Sequence, residues 1–244
     1  MELSCDKQIV GSNFESRNCN KQQMKKILFI LTTSIIIISC AVTHNTKDLI
    51  DFKTNKISRK NLKLDGYYYY QFESENNRNY NTTEKIKRIN SIFIYDDGYS
   101  LYLSGIDGLL SYYCAEGNSY ENSFENVHRN IELLVNAQKS NNKKIKKRCD
   151  FEPNYINHKG LTQIIENDNK IKIQYYQTEM QIPNKDSFNS YYLYEMNGEV
   201  KNDSTFVIYE LKSYRTNKIE NVNMVYKFRK CKKPELTNYF KKNI

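Results

Sequence analysis

The feature that most constrains this chain is a recurring short run in which apolar or aromatic residues alternate with polar ones, each run ending near Gly, Asn or Asp. Alternation sends successive side chains to opposite faces, so such a run buries one face and wets the other only as a β-strand. The clearest pair is Ile89 to Tyr95 and Tyr99 to Ser104, joined by Asp96-Asp97-Gly98. Asp-Gly supplies the positive backbone angles that a tight hairpin demands. Upstream, Leu64 to Phe72 sets Tyr68, Tyr70 and Phe72 against Tyr67, Tyr69 and Gln71. The pattern resumes at Gly160 with Leu161 to Glu166, a turn at Asn167-Asp168-Asn169, and Lys170 to Gln177. Ser190 to Met196, Thr205 to Leu211 and Asn223 to Arg229 complete it, and Pro234 ends pairing. Leu109 to Cys114 adds a short strand. Asn197-Gly198 and Asn202-Asp203 compete for one hairpin turn, the other being a bulge inside a longer strand.

A single segment switches period. Phe124, Val127, Ile131, Leu134 and Val135 fall at spacings near 3.6, with Asn122 as the cap and Glu125 three positions on, which predicts a helix ending near Lys139. His128 is assigned to its solvent face. About eight strands in hairpin order, one helix and no βαβ rhythm predict a mainly β fold, an antiparallel sheet curled into a barrel with a flanking α-helix.

Residues 24 to 40 read MKKILFILTTSIIIISC: Lys25 and Lys26, then an uncharged and mostly aliphatic run, then Cys40. The run from Ile27 to Ser39 is too short for a helix that crosses a bilayer, which needs roughly 20 apolar residues, and suits the core of a signal helix. Ile37, Ile38, Ser39 and Cys40 resemble the lipobox of bacterial lipoprotein signal peptides. That resemblance implies a diacylglycerol on the Cys40 sulfur, cleavage before it, and a membrane anchor of acyl chains; one chain binds marginally, two or three durably. The alternative is an uncleaved apolar helix with an incidental cysteine. Ala41 in place of Asp resembles lipoproteins sent onward to an outer membrane, so the expected location is the bacterial cell envelope, lipid-anchored. Residues 1–23 are long, polar and mixed in charge, unlike the start of a signal peptide. Met24 is therefore the expected start, with 1–23 a non-native extension; an extended leader is the alternative. The domain reading is 24–39 signal peptide, 40–61 flexible tether, and 62–244 barrel domain with a basic tail.

The chain carries 37 Lys and Arg against 28 Asp and Glu. A positive balance favours anionic partners, and export makes nucleic acid the poorer one. Lys143, Lys144, Lys146, Lys147 and Arg148 read as a solvated loop, with anion binding as the alternative. Lys227, Arg229, Lys230, Lys232 and Lys233 partly alternate with Tyr226 and Phe228, as on an edge strand that carries charge outward. Beyond Cys40 remain Cys114, Cys149 and Cys231. Cys114 and Cys149 flank the helix as a candidate disulfide, against three separate thiols. His44, His128 and His158 are scattered, so neither a metal nor a cofactor is expected.

In its hairpin spacing and its closing stretch, GEVKNDSTFVIY followed by YKFRK, the region from Leu62 to Lys233 is similar to small uncharacterised bacterial lipoproteins with a lipocalin-like barrel. Asp65-Gly66-Tyr67 partly echoes the aromatic-glycine start of lipocalins, without its tryptophan. The resemblance extends to the barrel and not to a ligand. One reading of the residues themselves is that the barrel holds a small apolar or aromatic ligand in its mouth, with Tyr68, Tyr70, Tyr175 and Tyr192 as candidate ligand-facing side chains; ordinary core packing is the favoured alternative for them. No Gly-x-Ser-x-Gly, His-Glu-x-x-His, Gly-rich phosphate loop or EF-hand loop occurs. Asp96-Asp97 is explained by turn chemistry. The expected function is non-catalytic binding of a ligand or an envelope partner protein. The competing reading is an envelope hydrolase whose carboxylates assemble from distant strands.

Overall fold

The computed structural model describes residues 42–76, 83–109, 120–136, 156–180 and 189–244. The signal segment with Lys25, Lys26, Ile37, Ile38, Ser39 and Cys40, the candidate disulfide Cys114 and Cys149, the strand proposed up to Cys114 and the basic run 143–148 lie outside them.

Eight strands form one closed antiparallel barrel: β1 (Gly66–Ser74), β2 (Ile86–Ile94), β3 (Tyr99–Asp107), β4 (Lys159–Ile165), β5 (Lys170–Met180), β6 (Asn189–Asn202), β7 (Thr205–Ser213) and β8 (Ile219–Lys230). Each pairs with the next in sequence, and β8 returns to β1 through Gly66↔Lys230 and Tyr68↔Phe228. The basic stretch on β8 is thus not an edge strand, because closure leaves no edge to guard. Asn202-Asp203 makes the β6–β7 turn. Asn197 and Gly198 stay within β6, where Tyr209 on β7 is the extra residue of a bulge.

The β2–β3, β4–β5 and β6–β7 hairpins and the start of β1 lie at one end, which we call the closed end. The start of β6, the end of β7 and the start of β8 form the rim at the other. Inward residues fill the middle: Ile92, Ile173, Phe206, Ile208 and Tyr226 have 0% exposure. A side chain without exposure borders no water-sized void, so the midsection of the barrel is filled, as eight strands permit.

Two outer walls are also apolar and covered. Helix α1 (Phe124–Asn136) lays Val127, Ile131, Leu134 and Val135 on Tyr67, Ile89, Phe93 and Leu101. Ile50 and Phe240, the latter from the short helix α2 (Tyr239–Asn243), cover Tyr99, Leu161, Tyr176 and Leu193. Ser123 caps α1, its Oγ accepting the Asn126 N–H at 3.2 Å. Asn122 instead accepts the Lys87 N–H at 2.9 Å and ties the helix start to β2.

The stretch 42–61, expected as a flexible tether, is a strap that climbs the barrel. Near the rim the Tyr191 N–H donates to the Val42 carbonyl at 2.8 Å, and the His44 N–H to the Tyr191 carbonyl at 2.9 Å. Halfway along, Gln174 Oε1 accepts the Ile50 N–H at 2.7 Å. At the closed end the Ile57 N–H donates to the Asp96 carbonyl at 2.8 Å, after which Ile57, Leu62 and Leu64 enter the interior core as a plug. A strap with one 3-10 turn at Thr46–Asp48, held by isolated hydrogen bonds and spaced aliphatics, has no periodicity for composition to register.

Two glycines carry the geometry. Gly98, at φ 79°, closes the β2–β3 hairpin with its N–H on the Tyr95 carbonyl at 3.0 Å. Gly66 sits on the β1–β8 seam, where an added Cβ would stand 2.1 Å from the Arg229 carbonyl oxygen. Gly66→Ala must push the seam apart, whereas Gly105→Ala, at φ 62° with open space around it, meets only backbone strain of about 1–2 kcal/mol. We expect Gly66→Ala to lower the urea midpoint further than Gly105→Ala, by about 1–3 kcal/mol or more in stability. Leu62→Ala, which empties the plug, should cost about 2–5 kcal/mol in the same measurement.

Candidate functional site

Tyr175 and Tyr194 are direct cross-strand partners on β5 and β6, so both project to the same side of the sheet, here inward, with ring centroids 5.6 Å apart and planes within 20°. Ser213 on β7 stands opposite Tyr194, and Leu211 lies two residues before it. Together with Glu195, Lys212, Lys218 and Glu220 they line a pocket of about 200 Å³ at the rim. The rings and Leu211 offer an apolar floor with Lys218 and Glu220 at its edge, whereas Glu195 and Lys212, paired with each other one position off the inward residues, send their side chains to the outer face of the sheet. A second pocket of about 180 Å³ at the closed end is polar, bordered by Lys60, Asn61, Asn169 and Lys201.

The four tyrosines singled out from the sequence do not converge. Tyr175 lines the rim pocket. Tyr68 lies in the filled core, its hydroxyl donating to the Asp203 carbonyl at 2.6 Å and its ring 5.0 Å from Phe206. Tyr70 stands on the inner wall, 5.9 Å from both Phe72 and Tyr226. Tyr192 is stacked on His44 at 4.5 Å, with the Arg215 guanidinium 4.8 Å from its ring. Burial raises the phenols of Tyr102, Tyr175 and Tyr226 above their ordinary range, so they remain neutral hydrogen-bonding groups. Tyr194 and Leu211 escaped the sequence reading. Both share the inward parity of their strands, but their meeting with Tyr175 depends on the β5–β6–β7 register.

The Glu195 carboxylate is bound into the outer wall. Gln174 Nε2 donates to Glu195 at 2.8 Å, Tyr214 Oη at 2.9 Å and Asn197 Nδ2 at 3.0 Å, and Lys172 Nζ lies 3.4 Å away. Burial alone would raise this carboxyl. The hydrogen bonds from Gln174, Asn197 and Tyr214, with the Lys172 charge, outweigh it and hold Glu195 below the usual range. Glu195 is thus ionised near neutrality and holds no proton to donate. Asp97 of the hairpin is likewise held low against its burial, by Asn238 at 2.8 Å and Lys241 at 3.2 Å, which clamp the C-terminal tail.

His128 is buried at 3% exposure, contrary to its assignment to solvent. Four positions after Phe124 it is rotated only about 40° from that residue, so it sits at the flank of the apolar stripe. Its Nδ1 shares a hydrogen bond with the Tyr67 hydroxyl at 2.8 Å, and Tyr69 meets its ring edge-on at 4.6 Å. Burial, then the nearby Arg229 charge, push it down to about 4.

The basic stretch on β8 is divided among separate tasks. Arg229 bridges to Glu125 at 2.9 Å and Glu132 at 3.3 Å and so pins α1 to the seam. Lys230 pairs with Asp65 at 3.5 Å. Lys233 turns inward to donate to the Ile94 carbonyl at 2.8 Å, and burial pushes it down to about 8. Burial also pushes the Cys231 thiol up to about 11, which leaves it protonated and unreactive at neutral pH. Among the described residues no group of three or more His, Cys, Asp or Glu is placed to hold a metal ion, and no helix is long and apolar enough to cross a membrane. No family model, curated protein or solved structure matches the chain.

The His128 site dictates a pH profile. Its folded value lies below the ordinary 6.5, so the folded state binds fewer protons, and its stabilising contribution is complete above pH 6.5 and is lost as pH falls toward 4. Urea unfolding should show stability falling through this window with a slope of up to about 1.4 kcal/mol per pH unit from this group. His128→Gln should flatten the profile. A residual slope is expected from His158, which burial and Lys159 also lower.

Proposed function

We propose that the chain is a lipid-anchored protein of the bacterial cell envelope, sorted to the outer membrane, whose barrel is a non-catalytic binder of small apolar or aromatic groups. The observation that carries the reading is the order Lys25-Lys26, short aliphatic run, Ile37-Ile38-Ser39-Cys40. The binding half is supported by the rim pocket. At about 200 Å³ it is smaller than the 300–1,000 Å³ of common ligand sites, and its stacked Tyr175 and Tyr194 suit one ring or the end of one chain. The filled midsection leaves Tyr68 and Tyr70 to packing.

Expression in a bacterial host with a labelled fatty acid should place label on the wild-type chain in the membrane fraction. Cys40→Ala should lose both label and membrane association; a labelled, membrane-bound variant refutes the anchor. Binding is tested by titrating indole into the protein. Tyr194→Ala should weaken it about 2- to 10-fold when measured without denaturant on a variant shown by circular dichroism to be folded, and an unaltered affinity removes the rim pocket from the proposal.

A further inference from the structure

We infer that the barrel stands rim-down on the bilayer, with Val42, Tyr120 and Ile219 against the phospholipid surface. The inference rests on the proposed acylation of Cys40 and adds an orientation to it. A flexible tether would let the domain tumble; the strap removes that freedom. Val42 is held by the Tyr191 N–H at 2.8 Å, and Thr43 forms a parallel bridge with Tyr191. Beside it His44 stacks on Tyr192 at 4.5 Å, and Arg215, ion-paired with Glu179, lies over the same ring. The chain therefore leaves the barrel at the rim, at a clamped corner. Cys40 is two residues upstream, and two extended residues reach about 7 Å, so the acyl chains enter the bilayer next to the rim.

The rim's surface suits that position. Val42 is 52% exposed, Ile219 at the start of β8 is 56% exposed, and Tyr120 just before α1 is 64% exposed. Aliphatic and aromatic side chains of this kind partition to the headgroup boundary. Among the described residues, the exposed rim cations Lys85 and Lys218 lie 3.6 Å from Glu75 and 3.7 Å from Glu220, so these two pairs add little net charge to the apolar contact. The Tyr175–Tyr194 pocket opens at this same end and thus meets lipid before it meets bulk solute.

The absence of tryptophan in the chain permits a direct measurement. Single-tryptophan variants Ile219→Trp and Tyr120→Trp at the rim, Tyr209→Trp on the outer wall and Lys60→Trp at the closed end are made in the full acylated protein. Each is reconstituted into vesicles of phosphatidylethanolamine and phosphatidylglycerol carrying brominated acyl chains. Ile219→Trp and Tyr120→Trp should lose most of their indole emission to bromine quenching, while Tyr209→Trp and Lys60→Trp keep theirs. Equal emission from all four, or quenching confined to Lys60→Trp, overturns the orientation while leaving the anchor intact. Flotation reads the anchor separately: a chain that does not float with the vesicles overturns the acylation, and the orientation with it.

Discussion

Closure of β8 onto β1 is the constraint on which the rest of the molecule depends. The seam forms because Gly66 lets the Arg229 carbonyl approach where any Cβ would collide. Once it is sealed, alternation along every strand acquires an inside and an outside, and the inside must be filled. Rings from β1, β3, β5, β6, β7 and β8 do so, with Phe206 and Tyr226 stacked at 5.0 Å. The seam residue Arg229 also faces outward and binds two glutamates of α1, so barrel closure and helix docking are coupled through one side chain.

A barrel of this width with a filled midsection has apolar side chains to spare on its outer walls. Three pieces of chain outside the strands cover them, each located by a buried polar contact rather than by apolar area alone. The Tyr67–His128 hydrogen bond registers α1. Gln174, which accepts from Ile50 and donates to the Asp48 carbonyl and to Glu195, registers the strap. Asp97 registers the C-terminal tail through Asn238 and Lys241. Buried polar groups of this kind are costly to leave unpaired, so each admits few alternative placements. The outer wall of β7 and β8 is less covered, with Tyr209 at 44% and Val225 at 39% exposure.

The same filling restricts function. A closed barrel invites comparison with carriers that enclose a whole ligand, yet here the midsection is occupied and the closed end is plugged by Leu62 and its neighbours. Among the described residues the pocket with an aromatic floor is the one at the rim, near the point where the strap enters. The proposed binding pocket and the proposed anchor thereby fall at one end of the molecule, a consequence of the strap's path rather than of any motif.

The hairpin at Asp96-Asp97-Gly98, the alternating runs and the apolar stripe of α1 were all readable in one dimension, because backbone sterics and side-chain periodicity act between residues a few positions apart. From them came the mainly β, antiparallel, barrel architecture. The burial of His128, the docking of 42–61, the choice of Asn202-Asp203 over Asn197-Gly198 as the turn, and the pairing of Tyr175 with Tyr194 were not readable in that way. Each depends on strand register and on contacts between residues tens to more than a hundred positions apart, and burial there is set by what the rest of the chain lays on top. Local chemistry settled which segments become strands and which becomes a helix; folding in three dimensions settled which tyrosines are core, which line a pocket, and which end of the barrel the chain enters.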